Sequence, residues 1–189
     1  MKSILSILVS ILVAGCSVAG QSNVATPPYT LLKSDGSQNI EVRHYAPMVL
    51  VSTSMPGKSG NSAFRKLFKY IGGENEGAAE ISMTAPVFMN ESADNSLMSF
   101  VMPDTFTLET TPKPTNPEIW VSELKDYKVA AIQFSGTLSE NNVEKHTKIL
   151  ADWITLNGYC AISEPVKAGY NGPMTLPWVR RNEVFIEVK

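Results

Sequence analysis

The sequence is poor in histidine and cysteine. Among 189 residues there are two of each: His44, His146, Cys16 and Cys160. A structural zinc site needs four Cys or His ligands, and once the leader is set aside only Cys160 and two histidines remain to supply them. A single body cysteine makes no internal disulfide, so the fold has to rest on its core. No excess of basic charge is present either. The chain holds 16 Lys and Arg against 18 Asp and Glu. Residues 1–15 contain Lys2 and no acid, so the rest carries 15 basic against 18 acidic groups, a net charge of −3. That balance speaks against a nucleic-acid binder, which shows a basic stripe. GxSxG, P-loop and GxGxxG motifs are absent, and no dedicated acid/base pair stands out.

The apolar run that does exist is short. Ile4 to Val13 is broken only by Ser6 and Ser10, follows Lys2, and ends in Val13-Ala14-Gly15-Cys16. This reads as a secretory signal over residues 1–15, too short to span a bilayer comfortably. A Cys directly after the small residues is the bacterial lipobox pattern, which makes Cys16 the lipidated N-terminus of the mature chain. The alternative is an ordinary signal peptide with an incidental Cys. Ser17 in place of Asp favours the outer membrane, with the body facing the periplasm. Several acyl carbons, at about 0.8 kcal/mol per buried CH₂, give a stable anchor without a transmembrane helix. Residues 16–28 then form the lipidated Cys and a polar tether, and the folded body begins near Tyr29 as one domain over 29–189.

Two segments carry helical periodicity. Gly60 to Ile71 places Phe64, Leu67, Phe68 and Ile71 at i, i+3, i+4 and i+7, an apolar stripe closed by Gly72-Gly73. Ser139 to Asn157 has Ser139 as N-cap, acids in its early turns and Gly158 beyond its end. Its inner face is Val143, His146, Ile149, Leu150, Trp153 and Ile154. The remainder reads as strands: 40–53, interrupted by Pro47, then 80–89, 97–102, 119–124, 129–134, 159–166 and 183–188. Met98, Phe100 and Met102 share one face, as do Ala130, Ile132 and Phe134. Thr110 to Pro117 is a Pro-rich connection between two halves with the same order of elements. The expected class is α+β: a distorted antiparallel β-barrel, or two sheets, in two pseudo-repeated halves flanked by two α-helices.

Six segments then stand in order: EVRHYAPMVLVSTSM (41–55), AFRKLFKYIGG (63–73), ISMTAPV (81–87), PKPTNP (112–117), GYNGPMTLPW (169–178) and RRNEVFIEV (180–188). Together they resemble the SOUL haem-binding family, with Met-Thr-Ala-Pro-Val the most specific piece. The resemblance implies the SOUL fold and binding of haem or a related tetrapyrrole. It places the pocket along the first helix and the segment near Met174, so that Phe64, Phe68, Lys69 and Met174 become candidate cofactor-binding residues. It also makes His44 a candidate axial ligand of the iron, because a histidine stands in this Arg-His-Tyr context in the SOUL branch. The plainer reading of His44 is a polar residue at a strand end.

Two departures weaken the likeness. Basic residues that serve the haem propionates in animal members correspond to Asn61 and Thr175 here, leaving Lys69, with Arg180 and Arg181 nearby in sequence. His146 reads as a helix-face residue. Cys160 reads as an inert core thiol at the start of a buried strand. The expected function is a lipid-anchored envelope protein that binds haem for carriage, buffering or sensing, with no protein partner specified. The alternatives are a ligand-free interaction module and, ranked lower, a haem-modifying enzyme.

Overall fold

A computed structural model describes residues 24–55, 60–91 and 96–189. The leader, Cys16 and the first part of the tether lie outside the described residues. The elements in chain order are β1 (Tyr29–Asp35), β2 (Ile40–Tyr45), β3 (Met48–Ser54), α1 (Asn61–Ile71), β4 (Val87–Asn90) and β5 (Leu97–Val101), then β6 (Ile119–Leu124), β7 (Tyr127–Phe134), α2 (Glu140–Leu156), β8 (Val166–Gly169) and β9 (Asn182–Glu187).

All nine strands form one curled half-barrel sheet in the order β1-β2-β7-β9-β8-β4-β5-β3-β6. Every neighbouring pair is antiparallel. Leaving β1 aside, the order is symmetric about the β8–β4 pair. One half is β2-β3-α1-β4-β5 and the other is β6-β7-α2-β8-β9. The first strand of each half lies on the second strand of the other: β2 on β7, and β6 on β3. The halves have exchanged arms. The exchange turns on two corners of two residues each. Ala46-Pro47 leads from β2 to β3, and Lys125-Asp126 leads from β6 to β7, with Asp126 in the left-handed region at φ 52°. Pro47 has no N–H to leave unpaired there. The two-half reading and the α+β class are therefore what the chain adopts.

Alternation along the strands sorts the core into three groups. On the side covered by α1, Val49, Val51, Met98, Phe100 and Met102 pack against Ala63, Leu67, Tyr70 and Ile71. On the side covered by α2, Ile40, Val42, Ala130, Ile132, Phe134, Val184 and Ile186 pack against Val143, Leu150, Trp153 and Ile154. The face turned away from both helices is aromatic: Tyr45, Phe88, Tyr127, Tyr170 and Phe185, with Met48, Val129 and Ala168 between them.

Several strand expectations change. β1 does not alternate and is exposed along nearly its whole length, so no sequence pattern announces it. β4 begins only at Val87, after Pro86, which has no N–H for a ladder; residues 80–86 carry isolated bridges alone, at Glu80 and Thr84, with a bend at Ala85. Segment 159–166 is not a strand: it bridges Val188 through Ala161, and β8 starts at Val166. Cys160 is consequently exposed and not a core thiol. Its backbone exchanges hydrogen bonds with Lys189 while its side chain turns outward.

Candidate functional site

The buried side of α1 is Ala63, Leu67, Tyr70 and Ile71, spaced i, i+4, i+7 and i+8. Phe64 and Phe68 lie on the flank of that sector. Phe64 meets the ring of Phe100 edge-on, with centroids 5.2 Å apart. Phe64 and Phe68 stack on each other at 6.0 Å with their planes 16° apart. They remain 38% and 54% exposed. The single apolar stripe expected from the sequence is thus two features: a core face through Leu67 and Ile71, and a flat aromatic ledge open to solvent.

Lys69 follows Phe68 by one residue, about 100° round the helix. Its ammonium pairs with Glu74 at 3.0 Å, and both groups are more than half exposed. It lines a hollow of about 270 Å³ with Arg65, Lys66, Glu74 and Asn116 at its rim and Tyr70 and Ile119 among its apolar walls. Arg65 sits nearer the ledge, between Phe68 and Lys69 on the helical wheel. The sequence reading passed over it, although the wheel position alone marks it. Asn61 shares the same sector.

Met174 is 93% exposed, in the connection between β8 and β9. Strand register relates it to the ledge. Phe100 under Phe64 pairs with Val87, and Val87 pairs with Gly169, where that connection begins. Two strand spacings, about 10 Å, separate the two rows. Ledge and Met174 segment therefore stand at the same end of the sheet.

His44 is elsewhere. On β2 it is five strand positions from β5, and it shares its sheet face with Val42. Nε2 donates to Asp126 Oδ1 at 2.9 Å, and the ring is half exposed at the strand end. The structure does not bring His44 together with Phe64, Phe68, Lys69 and Met174. His146 stacks on Phe134 at 4.1 Å and donates from Nδ1 to the Asn142 carbonyl at 2.6 Å, a helix-face role.

On the face away from the helices lies an ion network that sequence spacing does not reveal, since its partners are 140 residues apart. Glu183 is completely buried. It accepts from Arg43 through both oxygens at 2.7 and 3.1 Å, from Tyr170 Oη at 2.8 Å and from Arg181 at 2.8 and 3.0 Å. Arg43 also donates to Glu41 at 2.6 Å. Burial pushes the Glu183 carboxyl up, but the bonds and charge of Arg43, then of Arg181, outweigh it and hold the group below its ordinary value. Burial pushes Tyr45 up to about 12 and also raises Tyr170 well above its ordinary value, so both phenols stay neutral at physiological pH. Arg180 donates to the carbonyls of Thr175 and Pro173, each at 2.7 Å. Both arginines are engaged with the protein itself.

Among solved structures, the C-terminal domain of EcmrR is similar in fold, with a TM-score of 0.55 at 14% identity over 79% of this chain and 96% of that one. A hydrolase from Listeria innocua gives a TM-score of 0.57 at 11% identity over 80% and 92%. In sequence, the human protein named Heme-binding protein 2 is 30% identical over 89% of this chain and 88% of its own length. Mouse Heme-binding protein 1 is 29% identical over 87% and 93%. The family model described as SOUL heme-binding protein matches residues 24–187, almost the whole described body, so this chain belongs to the SOUL haem-binding protein family.

Proposed function

We propose that this protein binds haem, or another tetrapyrrole, against the Phe64–Phe68 ledge of α1. The observation that carries this reading is the near-parallel, solvent-open ring pair in a chain whose relatives are named for haem binding. The residues fit the disc. A porphyrin needs an apolar surface, and the ledge offers two near-parallel aromatic rings with the Met174 connection at the same end of the sheet. They also fit the propionates in part, through Arg65 at the edge of the ledge and Lys69 beyond it. Such exposed ion pairs are each weak, so stacking supplies most of the affinity. No histidine or cysteine lies on this face among the described residues. Haem bound there would be held by the Phe64 and Phe68 rings with Arg65 and Lys69 toward its propionates, and would supply the chemistry of its iron. His44 stays with Asp126.

The leader motif extends the proposal to place. A chain acylated at Cys16 works on the envelope, at the outer membrane facing the periplasm, as a carrier or buffer of tetrapyrrole. Binding is favoured over catalysis because the ledge holds no group poised to move a proton.

Haem titration followed by absorbance tests this. Wild type is expected to saturate. Phe64→Ala with Phe68→Ala is expected to weaken binding about tenfold, since each aromatic contact contributes about 0.5–1.5 kcal/mol. His44→Ala is expected to leave the Soret band and affinity unchanged. A Soret shift in His44→Ala, with no effect of the ring substitutions, would overturn the ledge as the site. Failure of wild type to saturate would leave the interaction-module reading, which the Asn61 and Thr175 departures favour.

A further inference from the structure

The connection from β8 to β9 has a property that haem binding leaves unused. From Tyr170 to Val179 it carries no charged residue, and Arg180 and Arg181 close it. Met174, Leu176 and Trp178, at every second position, are 93%, 41% and 69% exposed. A monomer in water seldom presents a Met, a Leu and a Trp from one loop.

The loop is not exposed for want of structure. Arg180 bridges the carbonyls of Pro173 and Thr175. Thr175 N–H donates to the Gly172 carbonyl, and Gly136 N–H donates to that of Pro177 at 2.8 Å. Arg181 N–H is held by Asn171 Oδ1 at 2.7 Å. The backbone is braced from inside, and the apolar side chains are what remains outside. A braced loop loses little conformational freedom on making a contact.

Its place in the fold names the contact. Residue 25 bridges Thr84, and Ala85 N–H donates to the Ala25 carbonyl at 2.9 Å. Thr84 lies three residues before Val87, whose partner Gly169 opens the loop. The chain thus enters the body at the sheet end from which the loop projects. Twenty-three residues precede Val24, with the Ile4–Val13 apolar run among them. Eight residue steps join Cys16 to Val24, a reach of at most about 28 Å. A body tied that closely to lipid at its N-terminal segment meets the lipid surface with this end.

We infer that the Gly172–Val179 loop is a lipid-contact loop, with Met174, Leu176 and Trp178 seated in the interfacial region of a bilayer. Trp suits that layer because its ring is apolar and its N–H is polar. The loop's own side chains carry no charge into the lipid, and the nearest cation, Arg180, already has its guanidinium on the loop carbonyls of Pro173 and Thr175. The inference rests on the leader reading for how the chain reaches the membrane, and it needs no haem on the Phe64–Phe68 ledge, although loop and ledge stand at the same end of the sheet.

The test uses the full chain in vesicles of phosphatidylethanolamine and phosphatidylglycerol, with and without brominated acyl chains, read by tryptophan fluorescence. Three tryptophans contribute: Trp120, Trp153 and Trp178, of which Trp153 is buried. Brominated lipid is expected to remove emission that Trp178→Phe also removes, and to leave the remaining emission intact. Met174→Ser with Leu176→Ser is expected to reduce the quenching while Trp178 stays in place. Trp120→Phe is expected to leave it unchanged. A chain that floats with the vesicles yet shows no quenching of Trp178 overturns the inference and points to the N-terminal segment or a second copy as the cover. A chain that does not float with the vesicles overturns it too. The mass of the N-terminal peptide reports Cys16 acylation separately, and haem absorbance reports the ledge separately, so the failure of either is distinguishable from failure here.

Discussion

At the scale of single residues, Glu183 bears the greatest electrostatic load. Its carboxylate is fully buried between Arg43 and Arg181. Its value in the folded state lies below the ordinary 4.5. A depressed carboxyl contributes stability that is fully present above the unfolded-state value and is lost as pH falls through the folded one. Urea unfolding from neutral to acid pH should show wild type weakening below the ordinary value. Glu183→Gln should be less stable by about 3–5 kcal/mol at pH 7, because it leaves Arg43 buried without its counter-charge, and it should lose much of that acid dependence. A second residue-scale outcome follows from Cys160. Its exposed thiol should react with a maleimide in the native protein, without denaturant, as peptide mapping by mass spectrometry would show. A core thiol would react only on unfolding.

At the scale of elements, α1 separates stability from binding. Leu67→Ala opens a cavity under the helix and should cost about 2–5 kcal/mol, whereas Phe68→Ala should cost under about 1 kcal/mol. Urea midpoints distinguish them, and the haem titration should reverse their order of importance. The helices were legible because each combines a 3.6-residue apolar period with recognisable ends: Gly72 and Gly158 follow α1 and α2 as expected. β5 and β7 showed one face each, Met98–Phe100 and Ala130–Ile132–Phe134, although both strands are buried on both faces. β1 showed none, because an edge strand exposed on both faces has no pattern to keep. Residues 159–166 misled because apolar content there reflects a partial cover over the end of β9, not a ladder. The ledge was half legible: the i, i+4 pair was visible, but which side of the helix met the sheet depended on Ala63 and Tyr70. The Arg43–Glu183 pair was not legible at all, since nothing local links positions so distant in sequence.

At the scale of the whole molecule, exchange of first strands couples the halves. β2 completes the sheet under α2, and β6 completes the sheet under α1. Neither half can unfold without removing a strand from the other. Native-state hydrogen exchange should therefore give β3 and β7 the same opening free energy within error. A clear gap between them would mean the halves behave as separate domains.

The arm exchange has a consequence for covalent continuity. The Pro-rich passage between the halves is pinned where it crosses: Tyr70 Oη donates to the Pro112 carbonyl and the Glu76 backbone N–H to that of Lys113. A nick there would cut the polypeptide without dividing the molecule, because each fragment would still hold a strand inside its partner's sheet. The architecture could be made from two separately translated pieces. Two identical half-length chains joined in the same way would form a symmetric dimer, of which the present chain is the tethered equivalent.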